Sequence, residues 1–298
     1  MSLKIKLLEL LPETGKFKTA IDGLYLYRRD EDVRIDCFNS PCIGIIVQGG
    51  KRAVIADEEY QYTEGHYIAT GIDLPSIVHV IGASPKKPHL AIAIALDRYV
   101  FSQLAGGIKP ALNNSTYKGV TVGDAAAELL EASLRLLNLL DTPERIPVLA
   151  PMIIREIHYY LLIGPQGEDF RLLGTLETSS NRIAWAVSWL RENYKERIHI
   201  NALAAQVNMT VPSFSRHFKR FTGMSPLQFQ KRLRLYEAQL LMLSENKNAE
   251  ATAFAVGYDS VTQFSREYKR QFGESPHKDI KRLRASAAAA NGEILSAN

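Results

Sequence analysis

The chain has 298 residues, enough for two domains, and its composition is that of an ordinary globular protein, which excludes wholesale disorder. Its net charge is only +4, but residues 181–284 carry 18 Lys and Arg against 9 Asp and Glu, whereas the rest of the chain has a net charge of −5. This asymmetry is expected of a polyanion-binding module joined to a module that does not bind polyanions, although a solvated basic face would give the same totals.

The sequence lacks the features of an exported or membrane protein. No apolar run approaches the roughly 20 residues that span a bilayer, and the first residues have no basic stretch followed by an apolar one. The two cysteines, Cys37 and Cys42, have neither a second pair nor a nearby His cluster that would complete a zinc site. We therefore expect a cytoplasmic protein with reduced thiols and no metal, cofactor or membrane partner.

The first 100 residues have the pattern of β-strands. Short apolar runs bounded by Gly, Asp or Pro recur about every ten residues. This spacing predicts an all-β barrel or sandwich. The runs are residues 43–47, 54–55, 60–62, 67–68, 77–81 and 90–96.

Helical periodicity begins after these strands. Asp124 is expected to cap an amphipathic helix in which Leu130, Leu134 and Leu137 share one stripe. Residues 153–163 predict a further helix, which stops at a Gly-Pro pair.

The Gly- and charge-rich segment 164–175 predicts a linker. It divides the chain into an N-terminal domain over residues 1–175 and a helical domain over residues 176–284. The Ala-rich remainder, residues 285–298, is expected to be a flexible tail.

An internal repeat at an offset of 50 residues lies within the helical domain. Residues 205–226 align without gaps on residues 255–276, and ten of the 22 positions are identical. The identities include F-S-R, K-R and the S-P pair that ends each copy. We therefore expect two copies of one local structure.

The second copy predicts a short helix, a turn and a second helix. Gly257 supplies the tight turn, and Ser260 is expected to be the N-cap of the second helix with Gln263 as its capping-box partner. Apolar residues spaced i, i+3 and i+7 predict the inner face of this helix, with small polar and basic residues opposite. The inner residues are Val261, Phe264 and Tyr268, and the outer ones are Thr262, Ser265, Arg266 and Lys269.

The first copy predicts the same arrangement. Thr210 is the expected cap, and Pro212 is tolerated because it lies in the first turn of the helix. The inner residues are Val211, Phe214, Phe218 and Phe221, and the outer ones are Pro212, Ser215, Arg216 and Lys219.

These outer faces are suited to the major groove of duplex DNA. Arg bonds guanine through two parallel hydrogen bonds, while Ser, Thr and Gln read other base edges. A solvated surface Arg explains either arginine alone, but the same placement in both copies favours DNA. Basic pairs that follow each motif are expected to contact phosphates, which sets register. They are Lys219 with Arg220 and Lys269 with Arg270.

A long helix is predicted between the copies, over residues 227–243. It would hold two recognition helices at a fixed separation, and successive major grooves on one side of a duplex are about 34 Å apart. Its predicted inner stripe is Phe229, Leu233, Tyr236, Leu240 and Leu243.

Residues 183–284 resemble the DNA-binding domain of the AraC/XylS family of transcription regulators. The resemblance rests on L-A-A-Q-V (203–207), F-S-R-H-F-K-R (214–220), A-V-G-Y-D-S (255–260) and F-S-R-E-Y-K-R-Q-F-G-E-S-P (264–276). Pro212 departs from the larger polar or aromatic residues that its position often carries. By this resemblance, the base-reading residues are Pro212, Ser215, Arg216, Thr262, Gln263, Ser265 and Arg266.

The N-terminal half is similar to the AraC-type sensory domain, through I-I-V-Q-G-G-K (45–51), D-L-P (73–75), A-S-P-K-K-P (83–88) and G-P-Q-G (164–167). The resemblance implies a cupin-like β-barrel with flanking helices that binds a small effector or mediates dimerisation. The expected fold class is therefore α+β with two domains, the second all-α with two helix-turn-helix motifs joined by a long helix. The resemblance implies an effector-responsive activator, with duplex DNA, RNA polymerase, a small effector and a second copy of the chain as expected partners.

A metal-dependent cupin-type enzyme fused to a DNA-binding domain is one alternative. A metal cupin would offer two histidines one residue apart, and no H-x-H occurs in the chain. No Ser or Cys stands in a recognisable nucleophile setting either. The candidate ligands for such a metal are Glu64, His66, His79 and His89.

A DNA-binding regulator without a small-molecule sensor is a second alternative. In that case the leucine stripe from Leu130 to Leu137 would serve dimerisation, unless it packs against its own barrel. A sensor would need a pocket, for which aromatic side chains are candidates, although a core position explains each equally. These aromatic residues are Tyr25, Tyr27, Tyr60 and Tyr67.

Overall fold

The computed structural model describes residues 2–55, 58–106, 119–174, 178–245 and 247–292. The chain divides into two compact units. The first consists of Met1–Trp185 with Arg216–Gly223, and the second of Ala186–Ser215 with Met224–Asn298. The fold class is α+β, because the first unit contains strands and the described part of the second is helical.

Ten strands among the described residues form the framework of the first unit. Each of the six apolar runs falls within one of β4 to β9, except that the last run extends one residue past β9, so the prediction of those strands is confirmed. The strands are β1 (Gly15–Lys18), β2 (Leu24–Arg29), β3 (Arg34–Asn39), β4 (Cys42–Gln48), β5 (Gly50–Ile55), β6 (Glu58–Thr63), β7 (His66–Thr70), β8 (Leu74–Ile81), β9 (His89–Ala95) and β10 (Val120–Asp124).

The strands pair into two antiparallel sheets. One has six strands in the order β1-β2-β9-β4-β7-β10, and the other has four in the order β3-β8-β5-β6. Side chains alternate between the two faces of each strand. In β2, Leu24 and Leu26 are buried on one face, while Tyr25 and Tyr27 lie on the other and are only partly buried. The same register directs one set of side chains from both sheets towards a common interior cavity.

Five helices complete this part of the first unit: α1 (Leu3–Leu10), α2 (Arg98–Ala105), α3 (Ala127–Asn138), α4 (Ile146–Ile163) and α5 (Gly167–Gly174). The prediction that Asp124 caps a helix is wrong. Asp124 is the last residue of β10, paired with His66, and α3 starts at Ala127 without a side-chain cap. The ladder hydrogen bonds hold the Asp124 backbone in the sheet, so the helix begins later.

Helix α5 lies within the segment that was predicted to be a linker. Its Phe170 and Leu173 are fully buried, and the Phe170 ring stacks on Phe101 with 5.4 Å between centroids. Leucine and phenylalanine burial stabilises a short helix whose Gly and acidic residues suggest a loop when they are considered alone.

Helix α4 is longer than predicted, because Pro147 occupies its first turn, where proline is tolerated. The helical stretch Pro143–Ile163 is long and apolar enough to cross a bilayer by length and composition, which the expectation of no such run overlooked. Ile157 and Leu161 are buried on one face of α4. The core helix of a globular domain has the same length and composition.

His158 joins α4 to the start of α2. Its ring is buried, its Nε2 accepts the backbone N–H of Asp97 at 2.9 Å, and its Nδ1 lies 2.7 Å from the carbonyl oxygen of Ile154. Since Nε2 accepts, Nδ1 carries the proton that this carbonyl binds. Burial lowers the pKa of His158, so the neutral ring is the stable form.

The remaining helices are α6 (Ser179–Glu192), α7 (Ile200–Gln206), α8 (Val211–Thr222), α9 (Pro226–Ser244), α10 (Ala249–Ala255), α11 (Val261–Phe272) and α12 (Pro276–Gly292). Helix α12 includes the first residues of the predicted tail, and residues 293–298 lie outside the described part of the chain.

Helix α9 is the predicted connecting helix. It begins with a complete capping box between Ser225 and Gln228. Phe229, Leu233 and Tyr236 are buried as predicted, but Leu240 is 57% exposed, so its assignment to the inner stripe is wrong. The stripe drifts around the helix because 3.6 residues make one turn, and the second half of α9 instead buries the face that contains Leu235, Ala238 and Met242.

Candidate nucleic-acid interface

The second repeat folds as a helix, a turn and a helix. Asn248 caps α10 by accepting the N–H of Ala251 at 2.8 Å, and Ser260 caps α11 by accepting the N–H of Gln263 at 3.3 Å. Gly257 lies in the turn with a φ of +88°, where a Cβ would come within 2.4 Å of the Lys195 carbonyl oxygen. The predicted turn at Gly257 and the cap at Ser260 are therefore confirmed.

The inner face of α11 is anchored by aromatic side chains. Phe264 and Tyr268 have no exposed surface, and the ring centroids of Phe264 lie 5.3 Å from Tyr258 and 5.6 Å from Tyr268. Phe272 continues the stack, 4.5 Å from Tyr268. Burying each such ring contributes roughly 1.5–3 kcal/mol, so packing fixes the orientation of α11 and leaves its opposite face to solvent.

A buried carboxylate ties α11 to its neighbours. Asp279 has no exposed surface, and its carboxylate accepts hydrogen bonds from the Tyr268 hydroxyl at 2.8 Å and from the Gln239 amide at 2.7 Å. Arg282 adds a charged contact. The bond from Tyr268 joins α11 to α12, and the bond from Gln239 joins α9 to α12. These hydrogen bonds offset the cost of burying the charge, so they stabilise the packing of the three helices.

Glu267 is the second buried carboxylate of this unit. It accepts hydrogen bonds from Tyr258 and Lys231 at 2.9 Å and from the Gln263 side-chain amide at 3.2 Å. Burial raises the pKa of Glu267, but the hydrogen bonds from Lys231, Gln263 and Tyr258 outweigh it and hold the pKa below its ordinary value. The Gln263 amide therefore bonds Glu267, and it does not complete a capping box with Ser260.

Two groups of basic residues in the second unit differ in their partners. One group is held by internal hydrogen bonds. Arg234 donates to the carbonyl oxygens of Tyr194 and Gly257 at 2.7 and 2.6 Å, and Arg284 donates to Met242. Lys231, Arg232 and Arg282 bond Glu267, Gln271 and Glu274 respectively.

The other group lies on the outer face of α11. Arg266, Lys269 and Arg270 are exposed, and among the described residues no carboxylate lies within ion-pair distance of them. Thr262 is also exposed, and Ser265 is partly exposed on the same face. This face therefore presents unpaired positive charge beside small polar side chains, which is the composition that phosphate and base-edge contacts need.

The first repeat has the same local structure. The turn between α7 and α8 contains Asn208 with a φ of +53°, and Thr210 accepts the N–H of Ser213 at 3.4 Å, so the predicted cap is confirmed. Phe214 and Phe218 have no exposed surface. Three basic side chains and the proline are exposed along α8, and Ser215 is partly exposed. The exposed residues are Pro212, Arg216, Lys219 and Arg220.

The two sheets of the first unit enclose a cavity of about 200 Å³. Most of its wall is apolar and comes from strands of both sheets, including Ile35, Ile46 and Ile92. Tyr27 and Tyr62 also line it. Enclosed apolar cavities with a few polar groups are typical ligand sites.

Comparison with known protein families decides the identity. Residues 20–169 match the family model described as the AraC-type transcriptional regulator N-terminus, and residues 203–282 match a helix-turn-helix domain model. The first match alone covers half of the chain. The chain belongs to the AraC-type transcriptional regulators. The resemblance seen in the sequence, with a sensory domain first and a DNA-binding domain second, is confirmed.

Three proteins or structures similar to this AraC-type regulator match it at low sequence identity. The HTH-type transcriptional activator RhaS of Escherichia coli (strain SE11) is 28% identical over 83 residues, which is 28% of this chain and 30% of RhaS. Two structures of ToxT from Vibrio cholerae share the fold. One, from strain SCE256 with a bound unsaturated fatty acid, has a TM-score of 0.59 at 11% identity and covers 86% of this chain and 94% of its own. The other, from strain O395 with a naphthalenyl butenoic acid, has a TM-score of 0.60 at 11% identity, with coverages of 87% and 98%.

The three histidines among the candidate metal ligands of the AraC-type regulator lie on different strands. His66 is 3.3 Å from Asp124, His79 lies opposite Arg34, and His89 is fully buried beside Gly49. Within the described ranges, no group of three or more His, Cys, Asp or Glu side chains is placed to hold a metal ion. Burial, with Lys51 and Arg29 nearby, lowers the pKa of His89 to about 3, which keeps its ring neutral.

Of the four candidate pocket tyrosines, only Tyr27 lines the cavity. The Tyr67 hydroxyl donates to Gln166 at 3.0 Å, and the Tyr60 hydroxyl donates to Glu58 at 3.0 Å. Tyr62 and Arg234 were not recognised from the sequence. The alternation of β6 could have indicated Tyr62, because it shares a face with the neighbouring Tyr60, but no local signal marks Arg234, whose acceptors are 23 to 40 residues away.

Proposed function

We propose that this protein binds duplex DNA sequence-specifically by placing α8 and α11 in adjacent major grooves. The observation that carries the proposal is the division of the basic residues. The arginines of α9 and α12 bond protein groups, whereas Arg266, Lys269 and Arg270 on α11 extend from a rigid helix without partners among the described residues. An unpaired, preorganised cationic face loses no internal contact when it meets phosphates and base edges.

The roles of individual residues follow from their placement. Lys219, Arg220, Lys269 and Arg270 would contact phosphates and set the register on the duplex. Gln263 has a bond to Glu267 that it must release or share, so we expect it to contribute less to base reading than Arg266. The base-reading set is Pro212, Ser215, Arg216, Thr262, Gln263, Ser265 and Arg266.

The N-terminal domain would act as the sensor, with a small effector as its ligand in the cavity between its two sheets, which we call the barrel cavity. The cavity and the AraC-type family match of residues 20–169 support this role. The ToxT structure of similar fold is described as bound to an unsaturated fatty acid. Effector control requires that the effector bind two states of the regulator with different affinity, which would change DNA affinity or oligomeric state.

The remaining parts of the proposal concern the whole protein. We take residues 1–175 as the sensory domain, 176–284 as the DNA-binding domain and 285–298 as a tail. The matched relative RhaS is named a transcriptional activator, so activation through RNA polymerase is the expected output. Cytoplasmic location, self-association as a dimer and the absence of catalysis belong to the same proposal.

The test is a binding selection from random duplex DNA with the full-length protein at a stated salt concentration. We expect an enriched motif of two blocks about one helical turn apart. The double variant Arg216→Ala/Arg266→Ala should lose the enrichment. Lys247→Ala should keep it, since Lys247 belongs to neither recognition helix and pairs with Glu245 at 2.7 Å. Salt-sensitive binding without any enriched sequence, in the parent and both variants alike, would contradict the proposal.

A further inference from the structure

The side chains that line the barrel cavity carry positive charge. Three cationic side chains line it: Lys16 from β1, Arg29 from β2 and Lys51 from β5. None of the described residues that form its wall is Asp or Glu. Lys51 and Arg29 are partly buried, and Lys16 is exposed.

These cations have no acidic partner among the described residues. The ammonium groups of Lys16 and Lys51 lie 5.7 and 5.4 Å from the centre of the Tyr27 ring, and Arg29 donates to the carbonyl oxygen of Arg28 at 2.8 Å. In the part of the chain that the structure describes, no carboxylate forms an ion pair with any of the three. Burial lowers the pKa of Lys51 to about 8, as expected of an ammonium that lacks a counter-ion.

The size and the rest of the wall restrict the ligand further. A cavity of 200 Å³ exceeds the roughly 150 Å³ that accommodates benzene in a protein interior. Aliphatic side chains, including Ile35, Ile68 and Val78, form part of an apolar wall beside the cations. A hydrated inorganic anion would leave this apolar surface unused, whereas an apolar body would bury it.

We propose that the cavity binds a small organic monocarboxylate with an apolar body about the size of one ring, the carboxylate bonding Lys51 and Arg29 while Lys16 closes the mouth. The inference rests on the proposed sensor role of the barrel and names the chemical class of the effector. An arginine fork and an ammonium together bind both oxygens of a carboxylate, and the low exposure of the site strengthens these bonds.

The reactivity of two cysteines in the cavity wall can be used to measure ligand binding. Cys37 and Cys42 both line it, and they are the two cysteines of the sequence. Burial raises the pKa of both thiols, that of Cys42 to about 11, so they react slowly and only with reagent that enters the cavity. A ligand in the cavity must therefore slow their alkylation.

The experiment measures thiol alkylation of the full-length protein at pH 7.5 against increasing benzoate, with benzamide and inorganic phosphate in parallel. We expect benzoate to slow alkylation of both cysteines, and benzamide and phosphate to have little effect. Lys51→Met and Arg29→Met should each require about tenfold to hundredfold more benzoate. Arg52→Met is the matched control, because Arg52 follows Lys51 on β5 but is exposed on the opposite face and pairs with Glu59.

The comparison of benzoate with benzamide uses the parent protein, so it remains decisive if a variant fails to fold. Equal protection by benzamide, protection by phosphate alone, or no protection by benzoate, cyclohexanecarboxylate or hexanoate would overturn the inference. A DNA-binding selection with the same protein preparation distinguishes failure of the effector inference from failure of the proposed function. Sequence-specific DNA binding without carboxylate protection rejects the effector class only, whereas loss of sequence preference rejects the proposed function itself.

Discussion

Replacing Arg266 with alanine should separate DNA recognition from stability. Arg266 is exposed on α11, and within the described segments its guanidinium forms no ion pair or hydrogen bond. The substitution therefore removes no internal contact, and we expect the free energy of unfolding to change by less than about 0.5 kcal/mol. A bidentate arginine–guanine contact contributes about 1–3 kcal/mol of discrimination, so affinity for the selected sequence should fall about 5- to 150-fold.

Two further variants make this prediction specific. Arg266→Lys keeps the charge and loses the planar fork, so it should retain the salt dependence of binding while losing preference at one base pair. Arg282→Ala should instead lower the stability of the protein and leave its base preference unchanged. Arg282 bonds Glu274 and the buried Asp279, so its loss should cost roughly 1–3 kcal/mol of stability. At temperatures where that variant is folded, its sequence preference should be unchanged.

The measurements are fluorescence anisotropy with the selected duplex and with single-base variants, at four salt concentrations, and urea unfolding of the same proteins. The transition of the DNA-binding unit is the one that the selected duplex shifts, because a ligand stabilises only the state that binds it. If Arg266→Ala binds every single-base variant with the parent's order of preference, the assigned orientation of α11 is wrong.

Three predictions concern the second helix-turn-helix motif. Tyr268→Phe removes a hydrogen bond to a buried carboxylate and should lower the free energy of unfolding of the unit by about 2 kcal/mol, measured in urea. The control is Tyr194→Phe, because the Tyr194 hydroxyl has no hydrogen bond among the described residues, and it should change the free energy of unfolding by less than about 0.5 kcal/mol. Equal effects of the two substitutions would contradict this prediction. Because the pKa of Glu267 is depressed in the folded state, its contribution to the free energy of unfolding is complete above its ordinary pKa of 4.5 and is lost as the pH falls below that value. The free energy of unfolding of the parent protein should therefore decline below pH 4.5, and that of Glu267→Gln should decline less. Gly257→Ala places a Cβ 2.4 Å from a backbone oxygen at a residue with positive φ, so it should lower the free energy of unfolding by more than about 2 kcal/mol. Gly273 also has a positive φ, but nothing lies within 4 Å of its added Cβ, so Gly273→Ala should lower the free energy of unfolding by only about 1 kcal/mol. The reverse order of stability in thermal unfolding would refute the argument from close approach.

The parts of the fold that the sequence predicts are those with local causes. The turn at Gly257, the cap at Ser260 and the aromatic inner face with Phe264 depend on residues within one or two turns of each other. The two copies of the repeat also support each other, because the same local pattern occurs twice. Helix α5 was missed for the complementary reason, since its stability comes from burying Phe170 against a residue nearly 70 positions earlier.

The barrel cavity shows why part of the site could not be predicted. Lys16, Arg29 and Lys51 lie on three strands, and nothing in their immediate neighbours distinguishes them from exposed cations such as Arg52. Only the register of both sheets brings them together. Three of the four tyrosine candidates do not line the cavity for a similar reason. Aromatic residues are common in strands for packing reasons, and alternation alone does not tell which face encloses a cavity.

The contacts of Arg234 determine where the chain can be cut. Its guanidinium bonds the carbonyl oxygens of Tyr194 and Gly257, and Gln230 donates to the carbonyl oxygens of Tyr194 and Glu196 at 2.9 and 2.5 Å. The helix-turn-helix family match begins only at residue 203. A fragment that started at residue 203 would lack Tyr194 and Glu196. The Arg234 guanidinium and the Gln230 amide of α9 would then lose hydrogen-bond acceptors. Fragments for crystallisation or DNA screening should therefore begin upstream of α6, whatever the extent of the matched family model.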